Sequence, residues 1–345
     1  MPNNANSIAK TRFVFPRPYP FSTLGTELWL AAGLWLVIGC SHLLAQETAA
    51  PQIDKNAEML ARRTIERLLL EDAFDAKLRQ RIWAGGREVV GVGHYEQSGG
   101  GTGRFSLEMT IHDGDSRQTL KQLSDGKLLW HRAQVGGNTS IRRVDIGRID
   151  EFERELWAAQ DAAKSLATPD RLPSRLLAGG LVELLDQIAN DFTLRLGKGT
   201  VEKQPVWILR GTLRTEARKR LQGMPSQAPE ALSSLCPTEV RIAIAATPDA
   251  NGFGAGLPIR IEFWSAPVAD SPVSLQATLV STSSSDSDST SATDAPAGRL
   301  ISLLEVYSMR KIEASPVERF LYVADDRAGT FVNDTQRYLD RVRRP

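Results

Sequence analysis

Residues 104–111 (RFSLEMTI) alternate polar and apolar without a break, so an extended backbone puts Phe105, Leu107, Met109 and Ile111 on one face and Ser106, Glu108 and Thr110 on the other. Such a segment is a strand of a sheet with one dry side, and that side demands a cover. Similar short runs flank it at residues 88–97, 117–123, 127–132 and 140–145. They are separated by His112-Asp113-Gly114-Asp115, Ser124-Asp125-Gly126 and Gly136-Gly137-Asn138, which are turn-forming sequences. Strands joined this closely form a meander of antiparallel neighbours.

The cover has to come from the segments with helical spacing. Asp54 to Trp83 carries Met59, Leu60, Ile65, Leu68, Leu69, Phe74, Leu78 and Ile82 among charged residues. It reads as an amphipathic helix with a break near Asp72, ended by Gly85-Gly86. Helical spacing returns at 151–166 and 176–189, and a second set of strands is expected at 192–196, 201–213, 240–246, 258–264, 273–280, 300–312 and 320–323. A terminal helix over 333–343 has Asp334 near its start. Two polar inserts interrupt this second half: 214–237, with Pro225, Pro229 and Pro237, and the Ser/Asp-rich stretch 281–298, which has almost nothing to bury. The fold class is therefore α+β, a curved antiparallel sheet covered by helices, and residues 46–345 read as a single domain.

Preceding that domain, Lys10, Arg12 and Arg17 stand before an apolar run at 28–38, followed by Gly39-Cys40-Ser41-His42-Leu43-Leu44-Ala45. Basic, apolar and small-residue regions in this order read as an export signal, with Leu43 and Ala45 suited to the positions before a cleavage site. Two alternatives share the same residues. The 18 uncharged residues 28–45 are long enough to remain as a tilted membrane anchor. Val37-Ile38-Gly39-Cys40 is similar to a bacterial lipoprotein box, which makes Cys40 a candidate lipidation site. All three send the remainder of the chain out of the cytoplasm, to the periplasm or a periplasmic tether. With 42 basic against 41 acidic residues, net charge gives no reason to expect a nucleic-acid partner. Cys40 and Cys236 cannot build a disulfide framework.

Chemistry-bearing motifs are sparse. Gly91-Val92-Gly93 lacks the third glycine and following helix of a dinucleotide site, and Gly99-Gly100-Gly101-Thr102-Gly103 lacks the lysine and the helix of a phosphate loop. No nucleophile elbow or zincin motif occurs. His94, His112 and His131 fall on separate strands or turns without an accompanying carboxylate pair, and Asp113 and Asp115 are turn formers first. No metal, cofactor or enzymatic activity is expected. What remains is the dry face, whose candidate cavity-lining residues are Phe105, Leu107, Met109, Leu128, Trp130, Trp207, Leu209, Ile261 and Phe263. If the helices cover this face incompletely, an apolar cavity is left for acyl chains; if they cover it completely, it is a plain core.

The element order, together with Val90-Gly91-Val92-Gly93-His94-Tyr95, Arg104 to Met109 and Ser124-Asp125-Gly126-Lys127-Leu128-Leu129-Trp130, resembles the LolA/LolB-like lipoprotein carriers. Lesser similarity lies at 207–209, 257–261 and 320–334. The resemblance implies a half-barrel under a helical lid that holds acyl lipid or lipoprotein acyl chains in transit across the envelope. Where those carriers have a strand arginine that latches the lid, this chain has Gln97-Ser98-Gly99, and the role is not carried over to the nearby Arg104. The function expected is that of an exported, non-enzymatic lipid or lipoprotein acyl-chain carrier of the bacterial envelope; the alternative is a membrane-tethered interaction or sensor module with a filled core.

Overall fold

The computed structural model describes residues 54–84, 86–114, 116–161, 172–222, 236–266, 298–313, 315–323 and 331–343. The leader with Cys40, the expected strand at 273–280, residues 223–235 of the first polar insert and nearly all of the second lie outside them.

Helix α1 (Lys55–Leu70) opens the domain. Asp54 caps it, its Oδ1 accepting from the backbone N–H groups of Asn56 (3.0 Å) and Ala57 (3.2 Å). Six strands follow in a meander: β1 (Phe74–Ala84), β2 (Arg87–Gln97), β3 (Arg104–Asp113), β4 (Ser116–Asp125), β5 (Leu128–Val135) and β6 (Asn138–Asp145). Helices α2 (Ile146–Asp161) and α3 (Gly180–Asp191) come next, with a 3-10 turn at Ser174–Leu177 between them. The second set of strands is β7 (Phe192–Val201), β8 (Gln204–Leu213), β9 (Pro237–Ala245), β10 (Pro258–Ser265) and β11 (Leu300–Lys311), with helix α4 (Thr215–Gln222) after β8. A 3-10 turn (Val317–Phe320), the two-residue β12 (Val332–Asn333) and helix α5 (Thr335–Val342) complete the chain.

All twelve strands belong to one open sheet, ordered β12-β6-β5-β4-β3-β2-β1-β11-β10-β9-β8-β7. The two meanders meet where β1 pairs antiparallel with β11, Leu78 opposite Val306. The sole parallel pairing among the described strands is β12 on β6. An antiparallel-dominated sheet with helices packed on one face is an α+β fold, as expected.

Three expectations are corrected. Residues 54–83 are not one helix: the chain leaves α1 at Leu70 and continues as β1. Leu78 and Ile82 are four apart, a spacing that fits either period. Packing decides for period two, because Phe74, Ala76, Leu78, Gln80 and Ile82 are all buried on one face, whereas Lys77 is exposed and Arg79 and Arg81 half-buried on the other. Gly86 consequently stands between β1 and β2 instead of at a helix end. Residues 320–323 are not a strand either. The segment lies across the outer face of β3 and β4, where Phe320 is fully buried and the Glu96 carboxylate accepts from the Ser315 hydroxyl and from Arg319 (3.3 Å). Finally, α2 starts at Ile146, directly after β6.

Candidate ligand-binding face

Cross-strand register fixes which side chains meet the helices. Gln97, Phe105 and Ser124 are opposite one another across β2, β3 and β4, as are Tyr95, Leu107 and Gln122, and Gly93, Met109 and Leu120. Continuing outward, Ser124 is opposite Leu129 and Gln122 opposite His131. On the other half of the sheet, Leu209 is opposite Ile242 and Ile242 opposite Ile261. This face packs against α1 and α3: Ala57, Ala61, Ile65, Leu68, Leu181, Leu185 and Ile188 join Phe105, Leu107, Met109, Leu209 and Ile261 in one apolar cluster. Trp207 and Phe263 pack against its margin, half-buried, the Lys198 ammonium lying 5.0 Å from the Trp207 ring.

Seven of the nine residues proposed from the sequence are thus gathered on the helical face. Leu128 and Trp130 are not. Strand β5 turns Leu129 and His131 inward, and Trp130 stacks on Tyr322 outside (centroids 4.5 Å apart) beneath Phe331 and Arg143. Both neighbours Leu128 and Leu129 are leucine, so the residue types in this strand do not reveal its phase, and the 315–323 segment supplies the outer cover that makes an outward Trp stable. Replacing the fully buried Leu129 with Ala should cost about 2–5 kcal/mol of unfolding free energy, against less than about 1 kcal/mol for Leu128→Ala. Chemical denaturation of the two variants will read the phase directly, and equal losses would reverse it.

Over β7–β9 the described helices pack tightly on the sheet. Between α1, α3 and β7–β9 is an apolar cavity of about 10 Å³ lined by Ala61, Thr64, Leu185, Ile188, Leu194, Leu209, Ile242 and Ile244, room for roughly one water molecule. Drug-sized ligands occupy pockets of roughly 300–1,000 Å³. Buried polar contacts fasten the helices to the sheet. In the hairpin where the carriers have their lid-latching arginine, Gln97 lies fully inside, accepting from the Tyr95 hydroxyl (2.5 Å) and donating its amide to the Leu68 carbonyl of α1 (2.6 Å). Arg104 instead faces outward and donates to the Asp125 carbonyl (3.3 Å). At the start of α3 the Gly180 N–H donates to Gln122 Oε1 (3.0 Å). Gly179 has φ +87° and its missing Cβ would lie 2.5 Å from the Phe105 ring, so only glycine lets the chain approach the sheet this closely.

A second set of inward groups was not visible in the sequence. Glu183 of α3 is buried and accepts from the Gly179 N–H (2.7 Å), the Tyr338 hydroxyl (2.9 Å) and Arg341 (3.2 Å), while Arg341 also holds Asp186. Burial pushes the Glu183 carboxyl up. The contacts join residues some 155 positions apart, and no local pattern announces such a pairing. His131 is buried near Asp334, Arg142 and Arg337, and burial lowers its imidazole to about 4. His94, by contrast, is on the outer face 3.7 Å from Asp75, whose carboxyl the Arg310 guanidinium holds below the usual range through two 2.7 Å hydrogen bonds. His112 is also outward, opposite Arg117. Among the described residues no three His, Cys, Asp or Glu side chains are grouped to hold a metal, and no helix is long and apolar enough to cross a membrane.

An open antiparallel sheet under a helical cover is consistent with the LolA-like α+β fold, and solved structures of that kind are similar to this chain. The complex of MucA and MucB from Pseudomonas aeruginosa matches at 14% identity and a TM-score of 0.32, over 78% of this chain and 61% of that one, so the chain spans less than two thirds of its length. A LolA superfamily protein from Nitrosomonas europaea matches at 10% identity and a TM-score of 0.25, over 79% of this chain and 99% of its own. LprF from Mycobacterium bovis matches at 8% and 0.31, over 77% and 99%. The likeness is one of fold. No protein-family profile and no curated protein sequence matches the chain.

Proposed function

We propose that this chain is a non-enzymatic binding protein of the bacterial envelope, tethered or exported by its N-terminal segment, that acts as an interaction or sensor module with a filled core. The observation that supports this reading is the tight packing of α1 and α3 on β7–β9, where the apolar cavity of about 10 Å³ is far below the volume of an acyl chain. Binding then belongs to the outer surface and the loops, and the partner is another envelope component, a protein or lipoprotein.

The carrier reading is kept as the second because one observation favours it. The seam between α1 and α3 is lined by apolar side chains, and Gln97 and Gln122 hold the cover through a few neutral hydrogen bonds, each worth about 1 kcal/mol net. An acyl chain gains about 0.8 kcal/mol per buried CH₂, enough over a long chain to offset the loss of those bonds if α1 swings away. Phe105, Leu107, Met109, Trp207, Leu209, Ile261 and Phe263 would then line the opened site.

Native mass spectrometry of residues 46–345, with lipid extraction and displacement of a fluorescent fatty acid, separates the two. The filled-core reading expects a folded protein without stoichiometric lipid and without saturable probe binding. One equivalent of acyl lipid displaced by the probe would overturn it in favour of the carrier.

A further inference from the structure

Large apolar side chains that face solvent are not spread evenly over the described residues. Val317, Leu321, Val323, Phe331 and Val332 fall between positions 317 and 332, and Val323 is 84% exposed. Tyr322, between Leu321 and Val323, stacks on Trp130, and the half-exposed Phe331 packs on the same indole at a steep angle, the centroids 5.4 Å apart. Arg143 lies against these rings, its guanidinium carbon 4.5 Å from the Phe331 centroid and 5.9 Å from that of Trp130. Among the described residues no carboxylate pairs with Arg143, and its Nε is buried without a hydrogen-bond partner. A cation set in aromatic rings and left without an anion is a composition typical of binding hot spots.

The same residues adjoin a sheet edge that is only partly paired. The Arg143 carbonyl accepts from the Asp334 N–H (2.8 Å), and the Asp145 N–H donates to Thr335 Oγ1 (2.9 Å), so these two residues of β6 direct their backbone groups away from β5. Antiparallel alternation turns the N–H and C=O groups of Ile141 and Thr139 the same way. Strand β12 joins this edge only at Val332, opposite Arg142, and no described residue bonds the outward groups of Ile141 or Thr139. Thr139, Ile141 and Arg143 also share the outer face with Trp130, which stands opposite Arg143. An extended segment laid along this edge would gain backbone hydrogen bonds and set every second side chain beside Phe331 and Arg143.

We propose that the β6 edge, with Phe331 and Arg143, is the docking site for an extended segment of a partner protein that carries a carboxylate side chain flanked by apolar ones. This deepens the interaction-module reading above and rests on it, naming the surface and the chemistry of the partner. Pairing with Thr139 and Ile141 supplies affinity, the aromatic rings cover the partner's apolar side chains, and the unpaired guanidinium selects an acidic segment over a basic one.

The test uses the full chain and an acetylated, amidated peptide, Thr-Val-Thr-Glu-Thr-Val-Thr, beside an analogue with Lys in place of Glu. In an NMR titration the Glu peptide is expected to bind about tenfold more tightly than the Lys peptide, as a charge-assisted contact allows. At saturation, amide exchange at Thr139 and Ile141 should slow about tenfold, because both N–H groups become paired. Arg143→Glu should invert the order of the two peptides. Thr139→Pro, which removes one outward donor and leaves the β5 ladder whole, should weaken both about fivefold. Equal affinities, binding without protection of Thr139 and Ile141, or binding of neither peptide would overturn the docking site. Lipid extraction of the same preparation reports on the underlying reading: stoichiometric acyl lipid would overturn the filled core, whereas a lipid-free protein that binds neither peptide would overturn the docking edge alone.

Discussion

Glu183→Ala will lower the unfolding free energy by about 3–5 kcal/mol, as breaking a buried charged junction from one side does. Glu183 is fully inside, and its carboxylate is the shared acceptor for the Gly179 N–H, the Tyr338 hydroxyl and Arg341. Truncation leaves two buried donors without an acceptor and the Arg341 guanidinium with only Asp186. The consequence reaches beyond α3, because Tyr338 and Arg341 belong to α5, the last helix of the chain. Urea unfolding of Glu183→Ala and Tyr338→Phe, singly and together, gives the coupling between them, expected at about 0.5–3 kcal/mol for groups in direct contact. Additive losses would mean that the Tyr338–Glu183 hydrogen bond does not couple the two helices.

His131 should make stability fall on mild acidification. Its imidazole is buried between Gln122 and Arg142 on neighbouring strands, with Asp334 and Arg337 near it, and burial lowers it from 6.5 to about 4. The unfolded chain therefore takes up a proton in a range where the folded one does not. The sign follows: the contribution is complete above pH 6.5 and is lost as pH falls through about 4, to the extent of about 3 kcal/mol. Glu183 acts in the opposite sense, since its raised carboxyl contributes below its unfolded value and loses that contribution as pH rises. Unfolding free energies at pH 7 and pH 4 will isolate the histidine, because His131→Gln should remove about 3 kcal/mol of the difference. Parallel pH profiles for the two proteins would show that His131 does not titrate with folding.

The candidate face was largely legible before any coordinates. Residues 104–111 have a phase that cannot be misread, since every second side chain is polar, and Phe105, Leu107 and Met109 are inside as that phase requires. Leu128-Leu129-Trp130 has no such contrast, so its phase rested on residue type, and Trp130 proved to be outside. In β1 the polar member of the inward row, Gln80, hid the period-two pattern and left a false helical one.

Sequence by itself determined the antiparallel strands, the turns between them and the need for a helical cover, because these depend on neighbours two to four residues apart and on local composition. Tertiary structure alone decided that β1 pairs with β11, that Gln97 hydrogen-bonds α1, that Glu183 meets Tyr338 and Arg341, and that α1 and α3 fill the space over β7–β9 to within a cavity of about 10 Å³. Each of these joins residues far apart in the chain, and whether two apolar surfaces meet without a gap is a property of side-chain volumes fitted in three dimensions, which no periodicity encodes.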